Sequence, residues 1–332
     1  MNGTTTGRNA LLLAAAVAIT AWGILGFVDR RGRGRAEFVY ETDYMVMVMP
    51  DGPAAEAGMQ DGDRMISVEG IMVEDLPLYS RWPRSLGARV GESRRFVVER
   101  EAELLTIDVV YGPTPRGVLH LQLGAGLIGL SFLWCGIWAL FAVGTPPALT
   151  LAYVGLAAGV AALGHGPYLG TWDGLAIHVS AAAMALWVAL LLRFFLIFPR
   201  RTRLGESQVV TRTIYGLWLL VPATGVIELI FHPALYHTFG AWIGLLMLGY
   251  AILALVAAVC SIVKTPRGEL WSSGVGWILT GLVVGLVPTL VGAIDWAFLR
   301  DFDIPGSIYF PLLLAVIPLS MALAVRQGAR LR

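Results

Sequence analysis

The run M-P-D-G-P-A-A-E-A-G-M-Q-D-G-D-R-M-I-S-V-E-G, residues 49–70, decides how the polar part of this chain folds. Pro50-Asp51-Gly52 has the residue types of a turn. Pro53-Ala54-Ala55-Glu56-Ala57 reads as a short helix, with proline in its first turn and Gly58 closing its end. Gln60-Asp61-Gly62-Asp63 turns again. Arg64-Met65-Ile66-Ser67-Val68 then reads as a strand, closed by Glu69-Gly70.

Working outward, Tyr44-Met45-Val46-Met47-Val48-Met49 reads as a preceding strand. Downstream, a polar helix is expected over 75–86. Strands are expected over 94–100 and 104–110, with a tight connection at Glu101-Ala102. The order resembles a bacterial PDZ domain over residues 44–111. The likeness is carried by Gly52, Pro53, Ala54, Ala57, Gly58, Gly62, Asp63 and Gly70, all fold-making positions. The resemblance implies a groove between a strand and a helix, to which an extended peptide or a C-terminus adds as a further strand. Its candidate residues are Tyr44, Met45, Val46, Met47 and Val48 on the strand and Leu78, Tyr79 and Trp82 on the helix. The family's carboxylate-holding loop precedes the strand. Here Phe38-Val39-Tyr40-Glu41-Thr42-Asp43 is acidic and lacks glycine, so docking and capture of free C-termini both stay open.

The rest of the chain is different in kind. Of 332 residues, 57% are hydrophobic and 14% charged, with mean hydropathy +0.70 and net charge +1. Soluble domains carry about 25% charge, so an ordinary cytoplasmic enzyme, a disordered chain and a nucleic-acid binder are excluded. Residues 29–116 hold 28 of the 47 charged residues. The expected organisation is an N-terminal membrane anchor (1–28), an extracytoplasmic PDZ-like domain (29–116) and a seven-helix membrane domain (117–332). The fold class is thus an α-helical polytopic membrane protein with an inserted α+β domain.

Hydrocarbon about 30 Å thick needs about 20 apolar residues per span. Eight runs qualify: 10–28, 117–143, 147–165, 174–198, 213–232, 238–263, 270–294 and 305–325. The first exceeds a typical signal-peptide core and reads as an uncleaved anchor. Arg200, Arg201, Arg203, Arg212, Lys264, Arg267, Arg326, Arg330 and Arg332 fall on one side of this layout. The alternate loops hold only Arg300. By the positive-inside rule both termini are cytoplasmic and residues 29–116 lie outside a bacterial inner membrane. Pro222, Pro288, Pro311 and Pro318 should kink their helices. Gly155/Gly159, Gly240/Gly244 and Gly281/Gly285 allow close helix approach.

Candidate chemistry is sparse. H-E-x-x-H, G-x-S-x-G, Walker, dinucleotide and C-x-x-C patterns are absent, which points away from PDZ-bearing zinc intramembrane proteases and rhomboid-like proteases. Cys135 and Cys260 read as apolar core. No cofactor or metal is expected. The polar groups expected at membrane depth are Glu228 and His232, four apart on one helix face, and Asp295. Arg30, Arg31, Arg33 and Arg35 form a basic juxtamembrane patch. It reads either as a solvated linker kept flexible by Gly32 and Gly34, or as a contact for anionic lipid or an acidic partner.

Two further stretches carry a second resemblance. Phe194-Phe195-Leu196-Ile197-Phe198-Pro199-Arg200 and Pro318-Leu319-Ser320-Met321-Ala322-Leu323-Ala324-Val325-Arg326 resemble helix ends in the membrane input half of ComP-type sensor histidine kinases. No phosphoacceptor or ATP-binding region follows, so signalling would pass through another chain. The expected function is a non-enzymatic accessory or scaffold subunit. It would pack beside other membrane-protein subunits and lipids and dock a partner through its outer domain. The alternative is a sensor of a peptide or lipophilic signal acting through a separate kinase. An enzyme or transporter comes third.

Overall fold

A computed structural model describes residues 3–40, 44–75, 87–164, 166–167, 173–200, 202–230, 235–290 and 307–330. A long helix α1 (Gly3–Gly32) leads into a strand-rich insert. The insert is built from β1 (Gly34–Arg35), β2 (Phe38–Tyr40), β3 (Val46–Val48), α2 (Pro53–Glu56), β4 (Arg64–Val68), β5 (Ile71–Met72), β6 (Ser93–Arg100), β7 (Glu103–Val110) and β8 (Gly112–Pro113). β1 pairs antiparallel with β8, so the two chain ends of the insert are tied together where they meet the helices. β2 pairs with β3, and a four-stranded sheet runs in the order β5-β4-β6-β7.

The local causes are those visible in residues 49–70. Gly52 caps α2, Pro53 opens it, and Gly58 follows at φ +93°, a conformation that costs glycine little. The polypeptide then turns through Gly62 into β4. Glu101 and Ala102 both have positive φ in the two-residue connection between β6 and β7, the geometry that matches the twist of a hairpin. Phe96, Val98, Val109, Met65, Val46 and Val73 are fully buried at the centre of the insert, and Phe38 meets Phe96 edge-on at 5.4 Å. The expected helix over 75–86 lies almost wholly outside the described residues; only a 3-10 turn at Val73–Asp75 is seen before them.

The remaining chain is helical: α3 (Arg116–Val143), α4 (Pro146–Leu163), α5 (Asp173–Ile197), α6 (Arg203–Glu206), α7 (Gln208–Trp218), α8 (Leu220–Ile230), α9 (Leu235–Val263), α10 (Val275–Gly281) and α11 (Val316–Ala329). Among the described residues, seven helices are long and apolar enough to cross a membrane, α1 included. The chain is therefore a multi-pass membrane protein. The expected span over 270–294 appears as a shorter apolar helix, Val275–Leu290.

Three of the four prolines expected to kink their helices lie at helix irregularities, while Pro318 sits in the first turn of the continuous α11. The run 213–232 divides at Leu219 into α7 and α8, and Pro222 is the residue whose missing N–H would have bonded to Trp218. Pro288 follows a π-helical stretch, Leu282–Leu286, and Pro311 lies in a 3-10 segment, Ser307–Ala315. Small residues close the tightest contact. Gly136 of α3 lies on Leu151 and Ala152 of α4, and Gly155 of α4 lies on Phe132 and Leu133 of α3. Gly281 and Gly285 likewise face Ser320 and Ile317, whereas Gly244 faces open space.

Candidate functional site

The turn between α2 and β4 is held by one side chain. Asp63 is buried to 1% exposure. Arg100, from the end of β6, donates from Nε to Asp63 Oδ1 at 2.7 Å and from Nη2 to Asp63 Oδ2 at 2.8 Å. The same Nη2 donates to the Gly58 carbonyl at 2.8 Å, and the Gln60 N–H donates to Asp63 Oδ2 at 2.9 Å. Burial alone would raise the Asp63 pKa. The Arg100 and Gln60 hydrogen bonds outweigh it and hold the carboxyl below its ordinary value. The pair spans two strands and fixes the α2 turn against the sheet.

This turn in turn occupies one edge of β3. The Val46 N–H donates to the Asp63 carbonyl, the Gly62 N–H to the Val46 carbonyl, and the Val48 N–H to Asp61 Oδ1. β2 occupies the other edge, with Phe38 opposite Val48, Val39 opposite Met47 and Tyr40 opposite Val46. The Met49 N–H donates to the Glu37 carbonyl. Antiparallel pairing alternates, so Val39 faces β3 while the amides of Phe38 and Tyr40 face away.

This corrects the expected groove strand. Of Tyr44, Met45, Val46, Met47 and Val48, the strand proper is Val46–Val48, and its two edges already have neighbours, so it has no edge to lend. Met45 bridges Arg64, and the Met65 N–H donates to the Tyr44 carbonyl. Among the described residues the end strand of this small sheet is β2, which the sequence reading had passed over as an acidic lead-in. Three residues, Phe38-Val39-Tyr40, are too short a run to show strand periodicity. Leu78, Tyr79 and Trp82 lie outside the described residues.

The basic patch is also not a flexible linker. Arg30 and Arg31 belong to the last turn of α1. The Arg31 guanidinium lies 5.2 Å from the Phe27 ring centroid. Arg33 Nη2 donates to Asp29 at 2.7 Å, one helical turn back. The Arg33 carbonyl accepts from Thr114 Oγ1, and Arg35 pairs with Gly112. Helix propagation through Gly32 and the clamp between β1 and β8 order this stretch. A cavity of about 480 Å³ opens beside it, walled by Arg30, Arg33, Arg35, Phe38, Val39 and Gln122.

The membrane-depth candidates are not brought together among the described residues. The Glu228 side chain, His232 and Asp295 fall outside them. Of the five histidines only His120 and His178 have described side chains, and they sit on different helices, α3 and α5. No group of three His, Cys, Asp or Glu residues that could hold a metal occurs among the described residues.

A PDZ domain model matches residues 46–100. Two curated relatives are each 38% identical over 63 residues of the PDZ region: proteins of Brucella suis biovar 1 and Brucella melitensis biotype 1, both named "Putative zinc metalloprotease". The match spans 19% of this chain and 16% of each relative's own length. No solved structure gives a significant match.

These relatives overturn the expectation of a chain that is not an enzyme. That expectation leaned on absent motifs, and a missing H-E-x-x-H removes one spacing of zinc ligands rather than a reaction class. The described residues nevertheless do not supply a ligand set that fits zinc. A PDZ domain implies binding of a peptide or protein partner. Residues 46–100 are thus a PDZ domain, carried by a chain with several membrane-crossing helices.

Proposed function

We propose that this protein is a subunit of a larger assembly in a bacterial cytoplasmic membrane, which docks a polypeptide partner through its PDZ domain. In this reading the chain crosses the bilayer eight times, both termini are cytoplasmic, and residues 29–116 form the extracytoplasmic domain. The observation that carries it is the edge of β2. β3 is paired on both sides, while β2 ends its sheet among the described residues and turns the Tyr40 amide away from β3. An extended segment laid there would gain main-chain hydrogen bonds in the manner of strand addition.

The partner assembly is drawn from electron-transport, photosynthetic, secretion and proteolytic complexes, and the names of the two relatives favour the last. The alternative, a sensor working through a separate kinase, rests on element order and two short motifs. Packing accounts for much of both. Phe194 and Phe198 are buried and stacked at 5.4 Å, and Met321, Ala322, Ala324 and Val325 are buried in the same core.

A photo-crosslinking residue placed at Val39, in native membranes, tests the docking edge. Crosslinks to a single polypeptide are expected from position 39 and not from Leu104, an equally apolar and more exposed site on β7. Equal labelling from both sites, or none from position 39, would exclude docking at β2.

A further inference from the structure

Two cavities meet at the base of the PDZ domain. The upper one, about 480 Å³, carries Arg30, Arg33 and Arg35, with Glu37 also on its wall among the described residues and Asp29 paired to Arg33. The lower one, about 140 Å³, is a cleft between α1 and α3. It is lined almost wholly by apolar groups, among them Gly23, Ile24, Phe27, Gly126, Leu127 and Leu130. Arg30 and Gln122 belong to both walls, so the polar chamber and the apolar cleft adjoin at these two side chains. Gln122 Oε1 is buried there with no hydrogen-bond partner among the described residues.

Small residues let the helices that wall the cleft approach closely. Gly23 and Gly126 leave room beside Leu163 of α4, where a Cβ on Gly23 would come within 2.8 Å of that leucine. Ile24 and Leu127 are about half exposed along the cleft. A site that is cationic at one end and apolar along its length, at the membrane-facing base of a domain, matches one ligand chemistry. We propose that it holds an anionic phospholipid, with the headgroup phosphate at Arg30 and an acyl chain lying between α1 and α3.

The geometry distinguishes this from diffuse attraction of a basic patch to a charged surface. Surface attraction needs only the arginines, whereas a seated lipid needs the cleft as well. Phe38 and Val39 wall the same upper cavity, so a bound headgroup would lie beside the β2 edge.

The test is native mass spectrometry of the full chain released from nanodiscs of phosphatidylcholine containing a minor fraction of phosphatidylglycerol. One retained phosphatidylglycerol per chain is expected. Arg30→Gln should reduce its retention over phosphatidylcholine about fivefold, and Arg30→Lys should restore most of it. Leu127→Trp, which fills the cleft from an exposed position and leaves every arginine in place, should abolish retention of either lipid. Equal retention of the two lipids by the wild-type chain would overturn the proposal. So would full retention in Leu127→Trp, which would leave surface attraction as the explanation. Displacement by millimolar glycerol phosphate would assign the chamber to a free phosphate and overturn it too.

Discussion

Replacing Asp63 by alanine is expected to destabilise the PDZ domain by about 3 kcal/mol, the lower end for removing one partner of a buried ion pair. The lower end applies because Arg100 keeps 27% of its side chain in water. The loss has two parts. The guanidinium is left without its two-point acceptor, and the Gln60 N–H loses its own. Of the Arg100 contacts to the turn, the Gly58 bond would remain. Amide exchange at Met65 and Val98, in the full chain, should quicken about a hundredfold if it proceeds by opening of the domain. Exchange in α3 and α4 should not change. Asp63→Asn should fall between the two, since it keeps an acceptor for Gln60 but not the charge.

The same carboxyl sets a pH dependence. Its folded pKa lies below the ordinary 3.8, so the unfolded chain takes up the proton first as pH falls. The pair's stabilisation is therefore complete above the unfolded value and is lost as pH drops through the folded one. Wild type and Asp63→Asn should differ at neutral pH and draw together only as pH falls below 3.8 and through the lowered folded value.

The second large effect is expected at Gly155→Leu. A Cβ at this position would press into the Phe132 carbonyl, and Gly136 makes the reciprocal approach to the Leu151 carbonyl. Neither obstacle is a flexible side-chain end, so α3 and α4 must separate. Overpacking of this kind costs about 1–3 kcal/mol. The helices would also lose the close van der Waals contact that drives association where no hydrophobic effect operates. Gly244→Leu is the control, since that glycine faces open space. The thermal midpoint of the purified chain in detergent should fall for Gly155→Leu and stay level for Gly244→Leu. Equal effects would mean that α3 and α4 do not pack as described.

What could be read from the sequence was local. Gly52, Pro53, Gly58 and Gly62 each act through their own backbone, and the structure places the α2 turn, β4 and the hairpin of β6 and β7 within a residue or two of the expected positions. The helices followed from length and hydropathy for the same reason. Long-range pairing was not legible. Asp63 was recognised as a turn residue, but nothing local announces a partner 37 positions away. The groove strand was misplaced because Tyr44-Met45-Val46-Met47-Val48-Met49 has the stronger strand signal. Its register between β2 and β4 is a tertiary fact. The basic patch was read as loose because Gly32 and Gly34 suggest freedom, which the β1–β8 clamp removes. The non-enzyme reading failed differently, through a relative's name and not through geometry.

Amide hydrogen exchange tests the docking edge most directly. The full chain in nanodiscs would be mixed with a free-C-terminus hexapeptide selected from a library against it. The amide of Tyr40 should then slow, while those of Val46 and Val48, already bonded to Asp63 and Asp61, stay as they were. Protection confined to Val46–Val48, or a library that yields no binder, would contradict docking at β2.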